Sequence, residues 1–264
     1  MKYLCIIILF PCFSFAQLNP NVEKLRTFSY PVFGINLLPK DTVYRTWGTG
    51  FFLRKKGELF FVTAKHVLTG CENAIQNDHY PDYMNIYIEK NKRVISLNVK
   101  SIRDSCPCLA ARDDTDMIVI KIEDTLGKYV NSVESYIRKP FKKIDDIEIL
   151  GKPFSNDMML FAKPREIKMP KNGYSIYNSQ YTDTTMSKLD FSLYLIYPST
   201  FKVDKSLRGF SGSPVFIRKE NSNKYRIAGL LSAYTLSKGN DYLSAVKIDY
   251  ILESVNRIIL NEQK

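Results

Sequence analysis

The sequence predicts an all-β protein of closed antiparallel barrels, finished by an α-helix. Three observations predict it. Short apolar segments rich in Phe, Val and Ile recur along the chain, separated by Gly, Pro, Asn and Asp, the pattern of strands joined by tight turns. Within some of them, Met84, Ile86 and Ile88 and then Ile95, Leu97 and Val99 alternate with polar positions, the period of a half-buried strand. The period then changes: Ile248, Ile251, Leu252, Val255, Ile258 and Ile259 recur at helical spacing, so the last segment is an amphipathic helix.

Taken in order, residues 1–16 read as a cleavable signal peptide and are set apart from the fold. Lys2 is their only charge, Ile6 to Phe10 form an apolar core, and Ser14-Phe15-Ala16 offers a small-residue cleavage site. The apolar stretch is short for a bilayer span, and Leu9-Phe10-Pro11 before Cys12 is a poor match to a lipoprotein signal. The expectation is a soluble, secreted or periplasmic protein of residues 17–264, whose 248 residues suffice for one domain with a full core. Gly50–Leu53 and Glu58–Thr63 form a hairpin around Arg54-Lys55-Lys56-Gly57, and Met84–Ile88 and Val94–Val99 form a second pair joined by a charged turn. Further strands are expected at Asp116–Ile122, Ile147–Leu150, Leu189–Ile196, Ser213–Ile217, Tyr225–Ser232 and Leu243–Ile248. Glu123 to Asp146 is charged, poor in strand pattern and reads as a crossover. Lys163 to Lys188, rich in Tyr, Asn, Ser and Thr, reads as a long loop of the kind that borders a cleft.

The formal net charge is +11, or +10 once Lys2 is removed. The cations sit at Arg54-Lys55-Lys56, Lys90 to Arg93, Arg138-Lys139 and Lys142-Lys143, mostly where turns are expected. Scattered turn charge is a solvated surface rather than a nucleic-acid stripe, although it attracts anionic partners. No nucleic-acid partner and no stable membrane insertion are expected.

Chemistry concentrates in three places. Gly209-Phe210-Ser211-Gly212-Ser213-Pro214-Val215 sets a serine between glycines; Thr63-Ala64-Lys65-His66-Val67 ends an apolar run; and Asp114-Thr115-Asp116 opens the run Met117 to Ile120. A serine hydroxyl is a weak nucleophile, so it needs a base within hydrogen-bond reach and a group that orients the base. Only His66 and His79 could serve as the base; His66 follows a strand, whereas His79 lies in Asn77-Asp78-His79-Tyr80-Pro81, a solvated turn. Asp116 is the candidate orienting carboxylate, with Asp113 and Asp114 as competitors. Gly209 matters through its backbone, since its N–H and that of Ser211 could together meet a developing oxyanion.

These motifs, in the order His, Asp, Ser and spaced 50 and 95 residues apart, resemble the chymotrypsin-like (trypsin-like) serine peptidases, in the bacterial trypsin-like and glutamyl-endopeptidase-like branch. Gly48-Thr49-Gly50-Phe51-Phe52, Ala64-Lys65-His66-Val67, Ser211-Gly212-Ser213-Pro214-Val215-Phe216 and Ile227 to Ser232 carry the likeness. Other folds carry the same triad in other orders. The resemblance implies two antiparallel six-stranded β-barrels, over about 30–135 and 145–247, with a helix at 248–261 against the second barrel. It implies a serine endopeptidase with His66, Asp116 and Ser211 as catalytic residues and the Gly209 and Ser211 amides as oxyanion hole. Lys205, Ser206, Ser232 and Tyr234 fall at substrate-binding positions. A protein or peptide substrate, no cofactor, no metal and a monomer are expected. Two alternatives share the motifs: a silent peptide- or surface-binding protein of the same fold, and an esterase.

Two features are particular to this chain. Digestive members carry an Asp immediately before the serine to hold a freed N-terminal amine; here that position is Phe210, and no tryptic site followed by Ile-Val-Gly-Gly is present. Of five cysteines, Cys71, Cys106 and Cys108 outlast the signal peptide. In an oxidising compartment a bridge from Cys71 to Cys106 or Cys108 would tie the two sides of the site together and leave one thiol free.

Overall fold

The two residues between Lys55 and Glu58 set the first hairpin. Lys56 (φ 52°) and Gly57 (φ 84°) are both left-handed, the backbone of a two-residue turn whose twist matches that of its strands. Arg54 and Lys55, expected in the turn, therefore belong to the strand Asp41–Lys55. The computed structural model describes residues 24–38, 41–69, 80–105, 109–112, 115–134, 144–151, 165–170, 174–178, 193–198, 207, 209–219, 224–235 and 242–262.

The described strands form two sheets. The first contains β1 (Ser29–Leu38), β2 (Asp41–Lys55), β3 (Glu58–Thr63), β4 (Tyr83–Ile88), β5 (Arg93–Asn98), β6 (Leu109–Arg112), β7 (Thr115–Ile122) and β8 (Ser132–Val133). Its order is β5-β4-β1-β2-β3-β7-β6, with β8 paired to β2 in parallel. The second contains β9 (Ile144–Gly151), β10 (Arg165–Pro170), β11 (Tyr174–Asn178), β12 (Leu193–Pro198), β13 (Pro214–Lys219), β14 (Tyr225–Thr235) and β15 (Tyr242–Lys247), ordered β10-β9-β13-β14-β15-β12-β11. Apart from β8 every ladder is antiparallel. The count differs from six strands per barrel: among the described residues the sheets have eight and seven strands, and each path of seven runs from one end strand to another.

Three strands lie where the sequence pattern is broken. β1 carries Pro31 and Gly34, yet it pairs with β2 along its length and with β4 from Val32 to Ile35. Pro31, which has no N–H to give, lies just before the β1–β4 ladder begins, where its loss is tolerated. β10 and β11 fall inside the segment expected as a long loop. The expected crossover begins with a 3-10 turn at Asp124–Tyr129, followed by β8. Val99, expected in a strand, instead starts the helix Val99–Ser105, capped by Asn98 Oδ1, which accepts the Ser101 N–H at 2.8 Å.

Phe51 to Leu53, Leu59 to Val62 and Met117 to Ile120 are fully buried at every position. A strand that shows no alternation in burial is covered on both faces, which is why these segments read as continuous apolar runs. Tyr30 and Phe61 meet Phe52 edge-on with ring centroids 4.9 Å away. The C-terminal helix Ile248–Asn261 supplies much of the cover. Its buried residues Ile248, Ile251, Leu252, Val255, Ile258 and Ile259 join the core cluster of the first sheet, and it packs on β6 and β7 as well as β14 and β15. The helix thus lies across both sheets rather than against the second alone, because the outer faces of the first-sheet runs also need apolar cover. Lys121 Nζ donates to Glu262 Oε2 at 2.5 Å and lies 3.0 Å from Glu58 Oε2, and Lys55 Nζ donates to Asn256 Oδ1 at 2.7 Å. Among the described residues no helix is long and apolar enough to cross a membrane.

Ile251 is fully buried, whereas Leu260 on the same helix is 58% exposed. Ile251→Ala should cost about 2–5 kcal/mol of unfolding free energy, and Leu260→Ala should stay within about 0.5 kcal/mol of the parent. Urea unfolding followed by circular dichroism measures both, and equal losses would contradict the packing described.

Candidate active site

The register of one ladder brings His66 and Asp116 together. β3 pairs with β7 with Thr63, its last residue, opposite Ile118, so the chain leaving β3 passes beside the start of β7 and carries His66 to Asp116. The chain turns there into His66–Thr69, a single helical turn closed by Val67 N–H to Ala64 O and Leu68 N–H to Lys65 O. Asp116 is then held at both oxygens. Oδ1 accepts the His66 backbone N–H at 2.9 Å, and Oδ2 lies 2.7 Å from His66 Nδ1. The two side chains are 14% and 15% exposed.

A third donor comes from the second sheet: Ser232 Oγ on β14 donates to Asp116 Oδ2 at 2.7 Å. Ser232 was placed among the substrate-binding positions by resemblance, and its hydroxyl is engaged here with the carboxylate. Burial on its own raises a carboxyl pKa; here it is outweighed by the His66 hydrogen bond, the His66 charge, and the bonds from Ser232 and the His66 amide, so Asp116 is held below the ordinary carboxylate value. The side chain is ionised in the folded protein at neutral pH.

Ser211 reaches this place from the second sheet. The Ser211 carbonyl accepts the Thr49 N–H of β2 at 2.8 Å, and a Cβ at Gly48 would lie 2.8 Å from that carbonyl and 2.5 Å from a Val67 methyl. Glycine at 48 therefore lets the serine segment and the histidine turn approach the same point of β2. Gly209 and Gly212 are both left-handed, at φ 86° and 87°, a backbone that glycine adopts at low cost. The chain around Ser211 is fixed by Phe210 N–H to Leu207 O, Ser213 N–H to Phe210 O and Gly212 N–H to Leu231 O. Among the described residues the Gly209 and Ser211 amides take no such partner. No hydrogen bond joins Ser211 Oγ to His66 Nε2 among them; such bonds are often long before substrate binds.

Lys205, Ser206, Asp113, Asp114, His79 and the three cysteines lie outside the described residues, and Tyr234 is described only as backbone of β14. Among the described residues no cluster of His, Cys, Asp and Glu is arranged to hold a metal ion. Thr49 and Thr63, both fully buried, take part in this region and escaped the sequence reading; a lone threonine in a strand carries no signal of its own.

The fold is similar to that of a protease, the Rv3671c protease from M. tuberculosis in its active form, with a TM-score of 0.54 and 13% identity over 91% of this chain and 84% of that one. No protein-family model matches the chain, and no curated protein matches it in sequence. At this identity the likeness shows the fold alone: a mostly β architecture like that of this protease, with a C-terminal helix.

Because Asp116 is depressed in the folded state, its contribution to stability is complete above the ordinary carboxylate range, about 3.9, and is lost as pH falls below that range through the depressed value. The unfolding free energy of the parent should therefore fall more between pH 5 and pH 3 than that of Asp116→Asn. Denaturant melts at the two pH values measure it, and equal falls would show that the carboxylate is not stabilised by its donors.

Proposed function

We propose that this protein is an exported serine endopeptidase. Ser211 Oγ attacks the carbonyl carbon of a peptide bond while its proton passes to His66 Nε2. The resulting oxyanion is met by the Gly209 and Ser211 amides; the C–N bond then breaks as His66 returns the proton to the leaving amine, and water releases the acyl group by the same steps. Asp116 keeps His66 in the tautomer with hydrogen on Nδ1 and balances the imidazolium. One observation carries the reading: the 2.7 Å contact of His66 Nδ1 with a buried, ionised Asp116, which commits one ring nitrogen to the carboxylate and leaves the other for a proton in transit. The likeness to a protease fold supports it, and Ser211 and Gly209 amides that take no partner among the described residues suit an oxyanion. No cofactor enters these steps.

A fluorophosphonate probe on residues 17–264 tests the assignment. Labelling at Ser211 is expected, with loss of labelling and of peptide cleavage in Ser211→Ala and His66→Ala. Asp116→Asn should lower kcat on the order of 10³- to 10⁴-fold, since the amide favours the wrong tautomer. Undiminished labelling of His66→Ala would overturn the reading, and turnover of esters without any peptide product would favour the esterase.

For specificity we propose that Lys205 lies at the floor of the pocket for the residue before the cut, where a cation repels Lys and Arg and admits acidic or neutral side chains. Mass spectrometry of the products of a diverse peptide pool checks this. Strong preference for Lys or Arg before the cut would refute it.

A further inference from the structure

We infer that Thr49 is a positioning residue whose hydroxyl holds the Gly209 amide of the oxyanion hole in its outward orientation; the inference rests on the hydrolytic reading of Ser211 proposed above. The carbonyls of residues 209 to 211 all have donors on the protein side. Gly209 O accepts Thr49 Oγ1 at 2.7 Å. Phe210 O accepts both the Ser213 amide at 2.9 Å and Ser213 Oγ at 2.5 Å. Ser211 O accepts the Thr49 amide at 2.8 Å. Thr49 therefore supplies two of these four donors from the opposite sheet.

The two amides of the hole depend on different tethers. In a planar trans peptide the N–H points away from the C=O, so the grip of Ser213 on the Phe210 carbonyl also fixes the Ser211 N–H. The Gly209 N–H is linked to a held carbonyl through its own residue instead. Its direction relative to the Gly209 carbonyl follows from the torsions of Gly209 itself, a left-handed residue with no side chain to restrict them, and among the described residues that carbonyl is held by the Thr49 hydroxyl. The hydroxyl is itself well placed. Thr63 Oγ1 donates to Thr49 O at 2.7 Å, both threonines are fully buried, and a Cβ at Gly212 would lie 1.8 Å from Thr49 O and 2.5 Å from Thr63 Oγ1. Glycine at 212 thus lets the loop settle onto the threonine pair. Phe210, 2% exposed, fills with a ring the position where a carboxylate would hold a freed terminal amine. The tether comes from inside β2 and is present wherever the N terminus is cut.

The experiment compares Thr49→Val, Thr49→Ser and the parent, all as residues 17–264, on one peptide substrate and with a peptide boronate inhibitor. Thr49→Val keeps the shape and removes the hydroxyl. Loss of one oxyanion donor lowers turnover on the order of 100-fold, so Thr49→Val should show a kcat loss of that order at an unchanged KM, with inhibitor affinity falling in step with kcat/KM. Thr49→Ser, which keeps a donor, should recover most of both. A kcat for folded Thr49→Val within about threefold of the parent would overturn the inference, as would a rise in KM alone. Should Thr49→Val fail to fold, Thr63→Val decides: a smaller kcat loss at unchanged KM supports the tether, and unchanged kcat overturns it. A parent that neither labels at Ser211 nor cleaves peptides counts against the hydrolytic reading instead. The melting temperatures then report the tether on their own, with a drop in Thr49→Val that Thr49→Ser does not share.

Discussion

A buried carboxylate cannot be left without donors, and at Asp116 that requirement joins the two halves of the molecule. Its donors are the His66 amide, the His66 ring and the Ser232 hydroxyl: two from the first sheet and one from the second. Each geometric condition around it follows. β3 and β7 must keep their register, the chain after Thr63 must turn at once into a helical turn, and β14 must bring Ser232 across the gap. The desolvation cost of an ionised group in such a place is met only when all three conditions hold together, so the site is also a point at which the fold is specified.

The same convergence explains the threonines and glycines nearby. Gly48 and Gly212 have backbone atoms of the other sheet at distances where no side chain fits. Thr49 and Thr63 then fill the hydrogen-bonding demand that such close backbone approach creates. The serine loop is therefore gripped from β2 at Gly209 and Ser211 and from its own turn at Phe210, and its conformation is set by groups that lie well inside the core.

What the sequence disclosed follows from how strongly each segment is specified locally. Strands buried on both faces, such as Phe60 to Val62 and Met117 to Ile120, show as unbroken apolar runs, and the stripe of Ile251, Val255 and Ile258 shows as a helix. β1 did not show itself, because Pro31, Gly34 and Asn36 break its pattern and its pairing with β2 and β4 is tertiary. The helix at Val99 was obscured by an alternation that continues through Leu97 and Val99. At the site, His66 and Asp116 were legible from their places at the end and the start of apolar runs. Ser232, Thr49 and Thr63 were not: their hydroxyls acquire a task only when the second sheet meets the first.

The C-terminal helix has a consequence for the order of events in biosynthesis. It completes the core of the first sheet, and its side chains clasp that sheet at Lys121 and Lys55 across separations of 141 and 201 residues. Contacts between residues so far apart in the chain carry a large loop-closure cost and form late. A nascent chain holding only the first sheet presents β6 and β7 without their cover. The first sheet therefore gains its full cover only after the C-terminal helix has been made.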